Sequence, residues 1–203
     1  DRGQPIDRRY IDQFLAAEAG ILRGVVIEVA DDRYAQRFSA PGSDIRILHR
    51  DPQRDAACAT AHIIGDLAVP ETMPEAVADA FICTQTLQFV FDLTAGVRGT
   101  HRLLRPGGVL LATLPCLSQI SRYDADRWGD FWRLTPACAE RLFSSVFGPG
   151  AVTVRAYGNA LAARAFIDGL AIEDLPDPTV LDQADPDYPL IIGIRAQKSL
   201  TIE

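Results

Sequence analysis

Short apolar runs typical of buried strands alternate with segments of helical periodicity, and this alternation constrains the fold more than any other feature. The first run, Val25–Ala30, is mostly β-branched, which suits a strand buried on both faces. Strands that alternate with helices form βαβ units with right-handed crossovers, and the sheet is then mainly parallel. The pattern predicts further strands at Asp44–His49, His62–Asp66, Ala78–Thr84, Val109–Leu114, Val152–Ala156 and Leu190–Ala196 and helices at Pro5–Gly20, Leu87–Leu104, Thr135–Phe147 and Asn159–Leu170.

Three stretches interrupt this alternation. The cluster Arg105–Gly108 contains Pro-Gly-Gly and predicts a break before the fifth strand. Residues Ser118–Arg133 are polar and aromatic and follow that strand directly. The stretch Leu175–Asp187 is rich in Pro and Asp and predicts a surface loop before the last strand, which we expect to run antiparallel to its neighbours.

Length and charge narrow the function classes. A chain of 203 residues predicts one domain spanning 1–203. The net charge of -7 argues against a nucleic-acid partner, because phosphate contacts need clustered Lys and Arg. No apolar run approaches the length of a membrane span, and no signal-peptide pattern is present, so we expect no membrane partner. The oligomeric state is left open.

The four cysteines favour a cytoplasmic protein with free thiols. They are widely spaced, and none forms the C-x-x-C pair typical of zinc sites, so we expect no metal. The apolar neighbours of Cys83 indicate a small buried hydrophobe. The four positions are Cys58, Cys83, Cys116 and Cys138.

An acidic residue, Glu28, interrupts the first apolar run close to its carboxyl end. In open α/β sheets, ligands bind just outside the carboxyl ends of the strands, so Glu28 is a candidate ligand-binding residue. A carboxylate that caps or pairs with a neighbouring segment explains the same position equally well. The sequence leaves both interpretations open.

Two linked segments, Asp79–Gln88 and His101–Thr113, place a predicted strand before a Pro-Gly-Gly turn that leads into the next predicted strand. They resemble the fourth strand and the turn into the fifth of class I S-adenosylmethionine-dependent methyltransferases, specifically the type 11 branch of bacterial enzymes that modify small molecules and glycans. The resemblance extends from Tyr10 to Ala196. It implies an α/β, Rossmann-like methyltransferase fold with helices on both faces of a mostly parallel seven-stranded sheet and one antiparallel strand near the C-terminus.

The resemblance also implies S-adenosylmethionine as the cofactor. Glu28 matches the acidic residue of the first strand, and Asp51 matches the carboxylate that holds both ribose hydroxyls. Asp66 matches the residue that accepts from the adenine amine. A solvated aspartate at a strand end is the alternative for each position taken singly. The positions that the resemblance assigns to the cofactor are Glu28, Ala30, Asp51, Asp66, Leu67, Thr84 and Gln85.

The first turn departs from the family's glycine-rich pattern. Ala30 and Asp32 stand where the family has glycines, and Tyr34 stands where a third glycine can occur. Glycine permits positive φ and close approach of the backbone to a ligand. Asp31 and Asp32 would repel an amino-acid carboxylate, unless they hold its ammonium group while Arg33 takes the carboxylate.

The polar and aromatic stretch after the fifth strand supplies the candidates for the reaction itself. Methyl transfer to a hydroxyl is helped by a general base, and His49, His62 and His101 are poorly placed for that role. We expect the base among Tyr123, Asp124 and Asp126, and acceptor contacts from Arg122, Trp128 and Trp132. The alternative is a segment that folds over the core, with both tryptophans packed and the charges solvated.

Three functions are compatible with these patterns. The first is a methyltransferase that modifies a small molecule or glycan, with oxygen as the expected atom. The second is a catalytically inactive domain of the same fold that serves in binding or assembly, which the altered turn favours. The third is a nicotinamide-dependent oxidoreductase, which the missing G-x-G-x-x-G pattern disfavours.

Overall fold

A computed structural model describes residues 3–51 and 61–201 of the chain. Its strands form one sheet with the order β3-β2-β1-β4-β5-β7-β6. The strands are β1 (Val25–Val29), β2 (Asp44–His49), β3 (Ala61–Ile64), β4 (Ala78–Thr84), β5 (Leu104–Pro115), β6 (Val152–Tyr157) and β7 (Ile191–Gln197).

Six α-helices surround the sheet in the described part of the chain. They are α1 (Ile6–Ala17), α2 (Arg33–Phe38), α3 (Leu93–Leu103), α4 (Arg122–Trp128), α5 (Pro136–Phe147) and α6 (Ala160–Ile167). The side chains of Asp92, Thr135 and Asn159 accept hydrogen bonds from backbone N–H groups in the first turns of α3, α5 and α6. Such caps fix where a helix begins, and the cap of α5 is the one that Thr135-Pro136 predicts.

The sheet has the predicted direction pattern. Strands β1 to β5 pair in parallel, whereas β7 runs antiparallel to both β5 and β6. The mostly parallel seven-stranded sheet with an antiparallel strand near the C-terminus is therefore confirmed. Because β1 to β5 are parallel, their carboxyl ends meet along one edge of the sheet.

Helices cover both faces of the sheet, as predicted. Side chains of α3 and α5, including Val97 and Phe143, pack on one face with Phe81 of β4. On the other face, α1 packs through Phe14, whose ring comes very close to Gly193 of β7. A Cβ at Gly193 would lie 2.7 Å from the Phe14 ring, so glycine is required for this contact. No helix within residues 3–51 and 61–201 has the length and apolar character needed to cross a membrane.

The predicted helix over Leu87–Leu104 was wrong in its first part. A short 3-10 helix occupies Leu87–Phe89, and α3 starts only at Leu93 because Asp92 caps it. The helix does end before the predicted break at Arg105–Gly108, because α3 stops at Leu103, but β5 begins at Leu104 and not at the predicted Val109. The strand continues through an irregularity in its register with β4, where Gly107 adopts a positive φ of 79°.

The remaining differences are local. The predicted loop Leu175–Asp187 contains a 3-10 helix, Pro178–Asp182, because Leu181 is buried and its carbonyl accepts from the Tyr10 hydroxyl. The stretch Ser118–Arg133 contains the short helix α4. The third strand ends at Ile64, two residues before its predicted end.

Candidate functional site

The carboxyl edge of β1 to β5 brings the predicted acidic positions to one side of the sheet. Glu28 of β1 is in register with Ile47 of β2 and Ile82 of β4. The residues that follow each strand therefore emerge side by side along this edge. Asp51 follows β2 and Asp66 follows β3, as the sequence predicts.

Glu28 joins the end of β1 to the first turn of α2. Its side chain is buried, with 3% exposure, and accepts a 2.7 Å hydrogen bond from the Ala35 backbone N–H. Burial raises the pKa of Glu28 to about 8, although the bond from Ala35 acts in the opposite direction. Glu28 thus has the capping role that the sequence left open. Its hydrogen bond with Ala35 positions the turn between β1 and α2.

Ala30 keeps the backbone conformation of a glycine without being one. Its φ is +68°, a region that glycine enters without strain and other residues rarely occupy. Its N–H donates to the Leu48 carbonyl at 3.0 Å, and the Asp31 N–H donates to the Val29 carbonyl at 2.9 Å. These bonds hold a tight turn. Ala30 is exposed, so the turn lies at the surface.

The two aspartates of the turn already have partners. The Arg33 guanidinium donates to Asp31 from Nε at 3.0 Å and from Nη2 at 2.8 Å, and both side chains are substantially exposed. Asp32 accepts from the Gln36 amide at 3.2 Å. Exposed ion pairs contribute about 0–1 kcal/mol, so a ligand could displace Arg33 from Asp31 at small cost.

After β3, Asp66 lies toward the surface and Leu67 lies in the core. Asp66 accepts from the Ala68 N–H at 2.9 Å, and its carboxylate lies 3.9 Å from Nε of Arg50. Leu67 is buried in the core against α3, where its backbone closely approaches Gly99. Asp51 is exposed and borders the segment 52–60, which lies outside the described residues. The cysteine prediction at Cys58 lies there as well.

The end of β4 carries a second strained residue. Gln85 has a φ of +46°, and its N–H donates to the Thr113 carbonyl of β5 at 3.0 Å. Its side-chain amide donates to the Thr113 hydroxyl at 3.3 Å. Thr84 ends β4, and its carbonyl accepts from the Thr86 hydroxyl. Among the described residues other than glycine, Ala30, Ala76 and Gln85 have positive φ, and two of the three lie on the carboxyl edge.

Residues 118–133, which we call the cap, are tied at their base by one arginine. Arg133 donates to the Gln119 carbonyl at 2.7 Å and forms an ion pair of 2.6 Å with the buried carboxylate of Asp130. This contact lowers the pKa of Asp130. The Trp132 indole N–H donates to the carbonyls of Val90 and Phe91 at 3.0 and 3.2 Å. Trp132 is therefore part of the anchor of the cap.

The predicted catalytic residues lie on the outer part of the cap. Tyr123 is 63% exposed, and the Arg127 guanidinium lies 3.6 Å from the centre of its ring. Asp124 accepts from the Ser121 hydroxyl at 2.6 Å. Arg122 and Asp126 are exposed.

Trp128 connects the cap to the carboxyl edge, because its ring lies under the guanidinium of Arg50 at 4.6 Å. The structure therefore brings Trp128 together with Asp66 through Arg50, and leaves Tyr123 exposed on the outer part of the cap.

The two described cavities lie away from the acidic strand ends. One of about 280 Å³ is bordered by Phe91, Trp132, Leu134 and Cys138 between the cap base, α3 and α5. The other, of about 150 Å³, lies beside Tyr157 at the end of β6. We place the candidate site on the open carboxyl edge because the strand-end carboxylates and the strained turns are there.

The histidines have structural surroundings. The His49 and His62 rings stack with centroids 5.0 Å apart on β2 and β3, and His101 packs edge-on against Phe147. Burial lowers the pKa of His101. Within the described residues, no group of three metal-binding side chains occurs. Burial also raises the pKa of Cys83 to about 12, which fits a buried hydrophobe.

Sequence reasoning missed three residues of this edge: Arg50, Gln88 and Arg133. Arg50 contacts Trp128, and Arg133 reaches the Gln119 carbonyl as well as the nearby Asp130, so no local pattern reports the long-range contacts. Gln88 did carry a signal, because it is a polar residue inside the apolar stretch Leu87–Phe91. It is buried with 4% exposure.

Comparison with known proteins identifies the fold. No protein-family model matches the sequence, and no curated protein matches it either. Among solved structures, an S-adenosylmethionine-dependent methyltransferase from Mesorhizobium loti is similar with a TM-score of 0.62 and 16% identity, over 95% of this chain and 100% of that one. The chain therefore has the fold of class I S-adenosylmethionine-dependent methyltransferases.

Two further structures show how widely this fold is used. A phosphoethanolamine N-methyltransferase from Haemonchus contortus, solved with S-adenosylhomocysteine, has a TM-score of 0.57 and 13% identity over 93% of this chain and 52% of that one. The [4+2]-cyclase SpnF has a TM-score of 0.54 and 16% identity over 95% of this chain and 81% of that one. At these identities the similarity establishes the fold, and the reaction must be argued from the site.

Proposed function

We propose that this protein is an S-adenosylmethionine-dependent methyltransferase that modifies a small molecule or glycan, with oxygen as the methylated atom. The observation that carries the proposal is the φ of +68° at Ala30. The turn after β1 keeps the strained, glycine-like backbone although the glycine is absent. Strain of this kind concentrates at ligand-binding sites, because the surrounding structure must maintain it.

The side chains along the edge suit the parts of this cofactor. Asp51 offers carboxylate oxygens to a ribose diol, and Asp66 offers the same to an adenine amine. The exposed turn at Ala30 leaves room for the amino-acid part, where Arg33 can exchange Asp31 for the ligand's carboxylate. Leu67 would close the adenine side from its position in the core, Thr84 ends strand β4, and Gln85 follows that strand directly.

The cofactor would supply a methyl group on a sulfonium centre, and the protein's part is to position the acceptor and remove its proton. We assign proton removal to the cap, through Tyr123, Asp124 or Asp126. We assign acceptor contacts to Arg122, Trp128 and Trp132 of the same segment. A cap anchored by Arg133 would also exclude water from the edge.

The second candidate is a methyltransferase fold that has lost catalysis. The observation in its favour is the paired state of the turn, in which Arg33 binds Asp31 at 2.8 Å and Asp32 follows directly. In a decayed site, this ion pair would simply replace the ligand. The cyclase of the same fold shows that methyl transfer is not the only use of this architecture.

Calorimetric titration with S-adenosylmethionine and S-adenosylhomocysteine separates the two. Micromolar binding is expected for the proposed enzyme, and no heat at millimolar ligand would support the inactive domain. Asp51→Ala and Asp66→Ala should each weaken binding by about 1–3 kcal/mol through lost charge-assisted hydrogen bonds. Asp44→Ala, at the opposite end of β2, is the matched control and should bind as the wild type does. Unchanged binding in both edge variants would reject the assignment of these carboxylates.

A further inference from the structure

Gln88 contains a buried hydrogen-bond acceptor that the described part of the protein leaves unused. The residue lies in the 3-10 helix that follows β4 and is 4% exposed. Its side-chain Oε1 is fully buried and has no hydrogen-bond partner among the described residues. Buried acceptors in native proteins are nearly always paired, so an unused one calls for an explanation, and a functional partner is one of them.

A chain of amide contacts determines which atom of Gln88 remains unused. The Thr113 hydroxyl accepts from the Gln85 side-chain amide at 3.3 Å. The Oε1 of Gln85 then accepts from the Gln88 amide at 3.4 Å. The Nε2 of Gln88 is thereby engaged, and its Oε1 is the atom left without a partner among the described residues. The positive φ of Gln85 shows that the backbone is strained at the same place.

The position of Gln88 is between the end of β4 and the base of the cap. The backbone carbonyl of Gln88 accepts from the Phe131 N–H at 3.0 Å. The Phe131 ring packs edge-on against the Phe91 ring, with the ring centres 5.3 Å apart. Gln88 therefore lies where the cap meets the carboxyl edge, next to the proposed acceptor site.

We propose that Oε1 of Gln88 accepts a hydrogen bond from an O–H or N–H group of the methyl acceptor. This inference rests on the proposed function and specifies its substrate class: a neutral donor-bearing compound, such as a sugar or a phenol. A carboxamide oxygen carries no charge and cannot donate, so it selects a donor and repels an anionic oxygen. Gln88 is thus a specificity-determining residue of the site.

The first test uses the free protein and needs no substrate. Gln88→Met keeps the length of the side chain and removes the unused acceptor. The change is made in a Gln85→Met background, where the Gln88 amide has already lost its partner. There, Gln88→Met should leave the melting temperature unchanged or raise it by about 2–4 °C, because an unpaired buried oxygen is unfavourable. Gln13→Met, an exposed position on α1, is the control and should show no shift. A clear fall when Gln88→Met is added to that background would show that the oxygen has an internal partner and would overturn the proposal.

The second test measures methyl transfer from radiolabelled S-adenosylmethionine to catechol, methyl glucoside and glycerol. For the compound that the wild type methylates fastest, Gln88→Met should lower kcat/KM at least about tenfold, mainly through KM. Its affinity for S-adenosylhomocysteine should stay within about twofold of the wild type. Equal kcat/KM would overturn the inference. If none of the three compounds is methylated, the melting temperature alone decides.

The two proposals fail in different ways. A wild-type protein that does not bind S-adenosylhomocysteine contradicts the proposed function, whatever Gln88 does. A protein that binds it and methylates one of the compounds equally well with and without Gln88 contradicts only the present inference.

Discussion

The Arg50 guanidinium lies 4.6 Å from the centre of the Trp128 ring, which brings the far end of the cap onto the end of β2. The same guanidinium lies 3.9 Å from the Asp66 carboxylate after β3. One side chain therefore connects a proposed cofactor residue to a proposed acceptor residue. A ligand that binds Asp66 would weaken the contact between Asp66 and Arg50. Arg50 would then be held less firmly against Trp128 of the cap.

Arg50→Ala should loosen the cap without unfolding the protein. Cation–π contacts at exposed sites contribute about 0.5–1 kcal/mol, so the cap should open about two to five times more often. Tryptic cleavage after Arg122 and Arg127 should accelerate by the same factor. Arg37→Ala removes a similar contact, 4.8 Å above the Phe38 ring on α2, and should leave cap cleavage unchanged. Equal acceleration in both variants would contradict a specific role for Arg50.

Titration of the Glu28 carboxyl should lower the free energy of unfolding as the pH rises. Burial raises its folded pKa to about 8, well above the value of about 4.3 for an unfolded chain. Between these values the folded protein binds the additional proton, so its stability decreases from about pH 5 to pH 8. Glu28→Gln removes this titration and keeps an acceptor for the Ala35 N–H.

Urea unfolding at pH 5 and pH 8.5 measures the effect. The stability of Glu28→Gln relative to the wild type should increase by up to a few kcal/mol between these pH values, since one pKa unit corresponds to about 1.4 kcal/mol. Glu71→Gln, an exposed position, should show no such trend. A difference that does not change with pH would show that Glu28 titrates normally.

The fold was largely predictable because its signals are local. Each signal predicts the element in which it lies. The apolar runs predict the strands, and helix starts such as α5 are predicted by Thr135-Pro136 and Asn159. The continuation of β5 through Arg105–Gly108 was not predictable, because it depends on pairing with β4 and on contacts such as the Lys198 N–H with the Gly108 carbonyl. The acidic strand ends were predicted to share one edge.

The contacts of the candidate site were much less predictable. Arg33 was expected to be available for a ligand, yet it binds Asp31 two residues away. Trp132 was predicted to contact an acceptor, which stays a prediction, and the sequence did not indicate that its indole N–H donates to the Val90 carbonyl. Whether a side chain turns toward its own backbone or toward a ligand depends on geometry that spacing does not encode.

Ala30→Gly should separate backbone strain from ligand binding. Glycine relieves the left-handed φ but gives the unfolded chain more freedom, so the net gain in stability should be at most about 1 kcal/mol. Ala76→Gly, with a φ of +52° before β4, is the matched control for stability. Only Ala30→Gly should change the affinity for S-adenosylmethionine, and calorimetry measures both variants. Equal affinity changes in both would remove the turn from the binding site.

The aspartates beside Ala30 offer a test that distinguishes a working site from a decayed one. Asp32→Gly restores the family's glycine and removes a negative charge close to the proposed position of the ligand's carboxylate. In a site built around Asp32, calorimetry should show an unchanged or lower affinity for S-adenosylmethionine. In a decayed site, the same change should create or strengthen binding, because the repulsion disappears.

Arg33→Ala completes this test because Arg33 is the cation within the turn. In a working site its loss should weaken S-adenosylmethionine binding several-fold, since Asp31 then remains uncompensated beside the ligand's carboxylate. Arg23→Ala, an exposed position before β1, is the control for the loss of one positive charge. If Asp32→Gly gains affinity while Arg33→Ala behaves like Arg23→Ala, the paired turn is a remnant. The protein would then be assigned as a catalytically inactive domain, because the Arg33–Asp31 ion pair would occupy the turn without serving a ligand.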